Sequence, residues 1–193
     1  MQARIEEDVP GFGAPRPLTA DEVLRMVEAG LLADERVELL GGALYPMSPQ
    51  GPGHAFMTAW LRDVLLRMYA DVACAFDHTS FRLDDVSLPE PDLVLCRGSL
   101  GVYRTRLPTP SDVVLLVEVS QTSQARDRAK AGRYARAGVP VYWRIDLPAE
   151  SVVVHLRPGH DGYGETQLLG RGDSVELPEL AGRRLAVDAL LGD

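Results

Sequence analysis

The sequence predicts an α/β (α+β) domain in which a central mixed β-sheet is flanked by helices. Segments with the 3.6-residue period of amphipathic helices alternate with groups of short apolar segments that are typical of strands. The strands occur in groups, so the order differs from a regular βαβ repeat. Neither a GxGxxG loop nor a GxxxxGK[ST] loop is present, which argues against a dinucleotide-binding or P-loop fold.

Length and composition predict a single domain over residues 18–193, preceded by an irregular Pro- and Gly-rich arm at residues 1–17. The 193 residues are 46% hydrophobic and 25% charged, as in soluble globular proteins. No apolar stretch approaches the roughly 20 residues of a membrane span, and the N-terminus lacks the pattern of a secretory signal. Two cysteines cannot form a disulfide framework. We expect a cytoplasmic protein without membrane contacts.

The first half of the chain contains signals for two helices and a hairpin. "TADEVLRMVEAG" has Thr19 and Glu22 in capping-box spacing and ends at Gly30, which predicts a short helix. "RVELLGGALYPMSP" predicts a hairpin that turns at Gly41 and Gly42. "HAFMTAWLRDVLLRMYA" has the apolar spacing of a longer amphipathic helix.

The second half predicts the main sheet. "CAFDHTSFRL", "PDLVLC" and "DVVLLVEVS" are interpreted as three strands. "SQARDRAKAGRYARAG" predicts a helix that ends at Gly138, with Pro140 beyond it as a stop signal. "VYWRID" and "SVVVHLR" predict two further strands, and the remaining tail predicts short strands and a terminal helical turn.

Glu118 interrupts a strand that is otherwise apolar. Glutamate is almost never fully buried unless it is paired or binds a metal. Asp92 begins another apolar strand, and Lys130 lies on the helix that follows Glu118. Asp127 and Tyr134 share a helix face with Lys130. If the strand leads directly into the helix, this face turns back over Glu118.

Two carboxylates and a lysine suit metal-assisted phosphoryl chemistry. Carboxylate oxygens are preferred ligands of Mg²⁺ and Mn²⁺, and the metal lowers the pKa of a bound water. A nearby ammonium can orient that water. Taken singly, these residues also fit simpler roles: an arginine partner for Glu118, a turn for Asp92 and a solvated helix position for Lys130.

Charge is unevenly distributed along the chain. The net charge is −8, yet the segment from Arg97 to Arg144 contains nine basic and three acidic residues. A local basic region is compatible with phosphate binding. We expect Arg126 and Arg133 to contact substrate phosphates. His54, at a helix start after "SPQGPG", is a capping or packing residue by default and a phosphate contact as the functional alternative.

The ordered motifs resemble a known group of nucleases. "PEPDLVLC" followed by "VVLLVEVS" resembles the PD-(D/E)XK nuclease core, with Ser120 at the usual lysine position. "RVELLGGALYPMSP" with a later histidine, "EVSQTSQARDRAKAGRYARAGVPVYWRID" and the Tyr-Trp pair before Asp146 are similar to the bacterial Uma-type restriction-endonuclease family. The resemblance covers residues 19–157.

This resemblance implies a restriction-endonuclease-like fold with Asp92 and Glu118 as ligands of Mg²⁺ (or Mn²⁺). It implies that Glu38 is the acidic residue found near the start of such folds, and that Lys130 replaces the lysine missing at Ser120. The implied activity is metal-dependent hydrolysis of DNA phosphodiester bonds. A homodimer is also implied, since nucleases of this fold that cut both strands commonly work as dimers.

Two other function classes remain open. A protein that keeps the fold without turnover would be a nucleic-acid-binding module, which the displaced lysine and the acidic composition favour. The second of these two classes is a protein-interaction module. Metal binding through Asp92 and Glu118 distinguishes a nuclease from both.

Overall fold

The structure is a computed structural model that describes residues 15–70, 72–121 and 124–192, except for the side chains of residues 124–128. The first fourteen residues of the predicted arm lie outside this range. The helices and strands are, in chain order, α1 (Ala20–Glu28), β1 (Val37–Leu40), β2 (Ala43–Pro46), α2 (Pro52–Tyr69), β3 (Ala73–Asp77), β4 (Leu93–Arg97), β5 (Val113–Ser120), α3 (Gln124–Arg136), β6 (Val141–Asp146), β7 (Ser151–Gly159), β8 (Gly162–Gly170), β9 (Ser174–Glu176), β10 (Arg184–Ala186) and α4 (Val187–Leu191).

A six-stranded sheet in the order β3-β4-β5-β6-β7-β8 forms the centre of the molecule. β5 and β6 are parallel and are joined through α3, while the other neighbouring strands are antiparallel. β1 pairs with β2, and β9 pairs with β10, in two separate hairpins. The predicted mixed sheet flanked by helices is confirmed.

Each face of the sheet has its own core, because successive strand residues point to opposite faces. Trp143 is wholly buried in the cluster that includes Leu61 of α2 and Leu190 of α4. Tyr142 is wholly buried on the other face with Tyr134 of α3. The neighbouring aromatic pair of β6 therefore supplies both cores.

The local signals at the start of the chain are confirmed. The Thr19 hydroxyl accepts the backbone N–H of Glu22 at 3.2 Å, and Glu22 accepts the N–H of Thr19 at 2.8 Å. β1 and β2 turn at Gly41 and Gly42, whose φ angles are +61° and +83°. Two consecutive positive φ angles define a type I′ hairpin turn, which glycine adopts without steric cost.

The C-terminal tail differs from the prediction of short strands. Gly162–Gly170 is a nine-residue strand that pairs along its length with β7. Six of the nine residues of its sequence, "GYGETQLLG", are glycine or polar, so it carries little of the apolar periodicity that identifies a strand. β8 is an edge strand, and its pairing with β7 rather than its own propensity determines its structure.

The topology brings several chain segments to one edge of the sheet. Because β4 runs antiparallel to β5, the residue before β4 lies beside the end of β5. Leu39 of β1 exchanges two backbone hydrogen bonds with Leu88, at 2.8 and 3.3 Å, just before β4. The β1–β2 hairpin, the start of α2 and the start of β4 therefore meet at the end of β5.

Candidate active site

Asp92 and Glu118 lie side by side at this edge, and both are buried. Asp92 directly precedes β4, and its Oδ2 accepts the backbone N–H of Val119 at 2.8 Å. This bond fixes Asp92 against the strand residue next to Glu118. The Asp92 charge is close enough to contribute to raising the pKa of Glu118, although burial is the larger cause.

Glu118 has two donors from α3, and both reach the same oxygen. Lys130 Nζ lies 3.2 Å from Oε1, and the Tyr134 hydroxyl donates to Oε1 at 2.7 Å. Lys130 and Tyr134 are four residues apart and share a helix face. The structure therefore confirms the prediction that this helix face turns back over Glu118.

Glu38 joins the site from β1. Its Oε2 lies 3.0 Å from Lys130 Nζ, so one ammonium lies between two buried carboxylates. Only 12% of the Lys130 side chain is exposed. The contact is an ion pair without hydrogen-bond geometry, and Oε2 of Glu38 has no hydrogen-bond partner among the described residues.

The paired groups shift each other's pKa values, and each favours the charged form of the other. Burial raises the pKa of Glu118 to about 7, and the charge of Lys130 opposes that rise. Burial alone would lower the pKa of Lys130, but the charges of Glu118 and Glu38 outweigh it, so its pKa rises. The lysine is therefore a permanent cation here and cannot serve as a general base near neutral pH.

Asp92 is surrounded by donors that sequence analysis only partly identified. The Gln50 amide donates to Oδ1 at 3.1 Å, and His54 Nε2 lies 3.1 Å from Oδ2. His78 Nδ1 lies 3.7 Å from Oδ1 and 3.3 Å from the Gln50 amide nitrogen. Since an amide NH₂ has two hydrogens, Gln50 bridges Asp92 and His78.

His54 faces the carboxylates. Burial lowers the pKa of His54, but the hydrogen bond and charge of Asp92 outweigh burial, so the net shift is upward. Its Nδ1 lies 3.5 Å from the Thr58 hydroxyl. Both ring nitrogens thus approach protein groups in this arrangement, and the predicted phosphate contact of His54 stays a prediction.

Gln50 and His78 were missed by sequence reasoning. Neither residue has a distinctive spacing to Asp92 along the chain. His78 has a φ of +45°, an uncommon conformation for a residue with a side chain. The backbone bend that turns its ring toward Asp92 is visible only in the folded chain.

These residues border a pocket of about 170 Å³. Its floor contains the four acidic residues Glu38, Glu90, Asp92 and Glu118 together with Lys130. Glu90 was not predicted as a site residue, and burial raises its pKa. The rest of the lining is Met47, Ser48, Pro49, Gln50, Gly51, His54, Val119 and Gln121.

The predicted phosphate contacts on α3 have different outcomes. The side chain of Arg126 lies outside the described residues. The Arg133 guanidinium lies against the β1–β2 turn, where a Cβ added to Gly41 would be 2.9 Å from both terminal nitrogens. Its contact with phosphate stays a prediction.

Much of the basic segment is already paired with acids. Lys130 binds two glutamates, and three arginines form ion pairs: Arg97 with Glu179, Arg106 with Asp112, and Arg144 with Asp146. Two of these acidic partners, Glu179 and Asp146, lie outside the segment that the charge count considered. Four of the nine basic residues of the segment are therefore already neutralised by carboxylates.

A divalent cation fits the donor set of Asp92 and Glu118. Oε2 of Glu118 has no partner among the described residues, and Oδ1 of Asp92 accepts one hydrogen bond out of two lone pairs. Within the described residues no group of three or more His, Cys, Asp or Glu side chains is arranged around a metal position. Mg²⁺ commonly binds through only one or two carboxylates and keeps several waters.

Comparison with known protein families gives one match that spans most of the chain. The model of the Uma2 family, described as "Putative restriction endonuclease", matches residues 20–188. The chain belongs to this family. Membership supports a nuclease function for this Uma2-family protein, and it confirms the resemblance found in the sequence.

A solved structure has the same fold. The chain is similar to a "putative nuclease belonging to DUF820" from Anabaena variabilis, with a TM-score of 0.68 and 20% sequence identity. The match covers 91% of this chain and 98% of that one. A search of curated proteins gave no match. Among the described residues, no helix has the length and apolar character needed to cross a membrane.

Proposed function

We propose that this Uma2-family protein is a Mg²⁺- or Mn²⁺-dependent endonuclease that hydrolyses DNA phosphodiester bonds. Asp92 and Glu118 would hold the metal, with Glu38 supporting the site through Lys130. The observation that carries the proposal is the meeting of Asp92, Glu118 and Lys130 at one edge of the sheet. Asp92 precedes β4, Glu118 lies on β5 and Lys130 lies on α3, so their meeting depends on how these elements pack.

Lys130 is the only lysine in the chain, and the other nineteen basic residues are arginines. Arginine therefore replaces lysine at every basic position except the one between Glu38 and Glu118. A compact ammonium fits between two carboxylates, and a planar guanidinium with its fixed fork of donors is not an equivalent replacement. This selective use of lysine supports a chemical role for its Nζ.

The Lys130 ammonium has three N–H donors, and its Nζ lies 3.0 Å from Glu38 and 3.2 Å from Glu118. Lys130 also lines the pocket, so an N–H of the ammonium can reach a group bound there. Because the raised pKa keeps Nζ charged, this N–H can orient an attacking water and stabilise negative charge on the phosphate. A bound Mg²⁺ would supply a water of lowered pKa and positive charge beside the phosphate.

The alternative is a nuclease fold that binds nucleic acid or a protein partner without turnover. Ser120 at the usual lysine position and the net charge of −8 favour it. In this alternative, the Lys130 ion pairs would only stabilise the buried carboxylates.

Calorimetric titration with Mn²⁺ and a plasmid-nicking assay with Mg²⁺ or Mn²⁺ test the proposal together. Asp92→Asn and Glu118→Gln should each lower nicking by at least about 100-fold. Loss of a group that only supports a metal ligand costs up to about 100-fold, and loss of the ligand itself should cost at least as much. Glu165→Gln, at a partly exposed carboxylate on β8, is the matched control and should be unchanged. Mn²⁺ binding without nicking would support the non-catalytic alternative, and no Mn²⁺ binding by folded wild-type protein would rule out the metal mechanism.

A further inference from the structure

Tyr134 contacts the proposed metal site but has no part in the proposed function so far. Its side chain is wholly buried, and its hydroxyl donates to Oε1 of Glu118 at 2.7 Å. Its ring packs edge-on against Tyr142, with centroids 5.3 Å apart and planes at 62°. The core therefore fixes the ring independently of Glu118.

The Tyr134 hydroxyl is the donor in this bond, because an oxygen of the Glu118 carboxylate can only accept. Together with Lys130, Tyr134 occupies both lone pairs of Oε1.

The two oxygens of Glu118 are therefore not equivalent. Oε1 has two donors from α3, whereas Oε2 has no partner among the described residues. The Glu118 residue is buried, and a carboxylate oxygen that lacks a protein donor is stable there only where water or a cation can reach it. Glu118 lines the pocket, so a cation or its waters can reach the remaining oxygen.

We propose that Tyr134 is a positioning residue that, with Lys130, holds Oε1 of Glu118 and leaves Oε2 as the single oxygen that binds the divalent cation. This inference rests on the proposed function, because it requires Glu118 to be a metal ligand. In this role Tyr134 supports a metal ligand through a hydrogen bond. Loss of such a hydrogen bond commonly lowers metal affinity about 10- to 100-fold. This arrangement also makes Glu118 a monodentate ligand.

The affinity test uses Mn²⁺ calorimetry on wild type, Tyr134→Phe and Tyr163→Phe. Tyr134→Phe removes only the hydroxyl, and we expect Mn²⁺ binding about 10- to 100-fold weaker. Tyr163→Phe is the matched control, since Tyr163 belongs to the same aromatic cluster but donates to the Val139 carbonyl at 3.0 Å. Affinity of Tyr134→Phe within twofold of wild type, or equal weakening in both variants, would overturn the inference.

A spectroscopic test reports the denticity of Glu118 directly. Infrared difference spectra, Mn²⁺-bound minus metal-free, are recorded on protein with ¹³C-labelled glutamate carboxylates. Wild type should show the wide band splitting of a monodentate carboxylate, and Tyr134→Phe should shift toward the narrow splitting of a bidentate one. A bidentate wild-type spectrum overturns the inference even if Tyr134→Phe does not fold.

Failure of the inference differs from failure of the proposed function. If wild type binds no Mn²⁺, the proposed function fails and the inference fails with it. If wild type binds Mn²⁺ and loses it in Glu118→Gln, while Tyr134→Phe binds normally, only the role of Tyr134 is overturned.

Discussion

Lys130 is a largely buried cation that pairs with two buried carboxylates. It lies 3.0 Å from Glu38 and 3.2 Å from Glu118, and the three side chains are almost completely buried. Buried charges of this kind are stable only when they are paired. The arrangement explains how a glutamate can be buried in the otherwise apolar strand β5.

The single lysine allows the protonation of this site to be measured directly. Protein labelled with ¹⁵N on the lysine side chain should give one Nζ resonance. Because the charges of Glu118 and Glu38 outweigh burial, the pKa lies above the ordinary 10.5, and the signal should remain that of an ammonium at pH 10.5. Titration at or below pH 10.5 would contradict the ion pairs, and Glu38→Gln should lower the midpoint.

Asp112 provides a second residue-scale prediction, at a carboxylate remote from the site. It accepts two hydrogen bonds from Arg106, at 2.7 and 2.8 Å, and the N–H of Thr109 at 2.9 Å. The Arg106 hydrogen bond is the main cause that lowers the pKa of Asp112. The stabilisation therefore exists above the unfolded-state pKa of 3.8 and is lost as the pH falls through the lower folded-state pKa.

We expect Asp112→Asn to lower the free energy of unfolding at pH 7 by about 2 kcal/mol. The difference from wild type should narrow at pH 3, because below the unfolded-state pKa of 3.8 the unfolded chain binds a proton at Asp112 that the folded protein does not, and this offsets part of the stabilisation. Urea unfolding at both pH values measures this. Asp161→Asn, at a fully exposed carboxylate, is the control. An equal difference at pH 7 and pH 3 would mean that the charge of Asp112 is not what stabilises the contact.

At the scale of elements, the β1–β2 hairpin carries Glu38 and must be held close to the body of the molecule. Gly42 lies against the chain entering α1: an added Cβ would be 2.1 Å from Pro17 Cβ and 2.8 Å from Pro17 Cα. The Leu18 N–H also donates to the Gly42 carbonyl at 2.9 Å. Glycine is therefore required at position 42 for space as well as for its φ.

Gly42→Ala and Gly30→Ala separate these two requirements. Both glycines have positive φ, +83° and +74°, but an added Cβ at Gly30 has nothing within 4 Å. Gly30→Ala should cost about 1 kcal/mol in the free energy of unfolding, the strain of a left-handed residue. Gly42→Ala should cost at least about 2 kcal/mol more, because its Cβ collides with backbone. Equal costs in thermal or urea unfolding would show that the hairpin can move away from Pro17.

Sequence patterns predicted the elements best where local chemistry determines them. The Thr19 capping box, the turn at Gly41 and Gly42, and the helix ending before Gly138 depend on residues close together in the chain. α2 begins at Pro52, two residues before its predicted start, because proline fits the first turn of a helix. β8 was not predicted as a long strand, because its hydrogen-bonding partner, not its composition, defines it.

At the scale of the whole molecule, charge determines how nucleic acid can approach. The net charge is −8, the pocket contains four acidic residues and one lysine, and several arginines of the basic segment are paired. Repulsion from the pocket opposes binding of a phosphodiester unless a divalent cation is present. The homodimer implied by the resemblance stays a prediction, which sedimentation of the purified protein would test.

We therefore expect DNA binding to require a divalent cation. Fluorescence anisotropy with labelled duplex DNA at 0.1 M salt should show no binding in EDTA and clear binding with Ca²⁺, which takes the same oxygen ligands as Mg²⁺. Asp92→Asn combined with Glu118→Gln should remove the Ca²⁺ dependence by lowering the negative charge of the pocket. Equal binding with and without Ca²⁺ in wild type would place the DNA contact elsewhere on the surface.

The sequence by itself determined the fold class and the family resemblance, and it predicted that Asp92, Glu118, Lys130 and Glu38 belong to one site. Glu118 stood out because it is a charged residue in a strand that must be buried, and Lys130 because it lies on the helix that follows this strand. Only the tertiary structure decided that Glu38 shares the same ammonium and that Gln50 and His78 contact Asp92. It also decided that Tyr134 donates to Glu118 and that Arg97 and Arg144 of the basic segment pair with Glu179 and Asp146. These contacts join elements that are distant in the chain, and their distances depend on how the strands and helices pack, which no local pattern encodes.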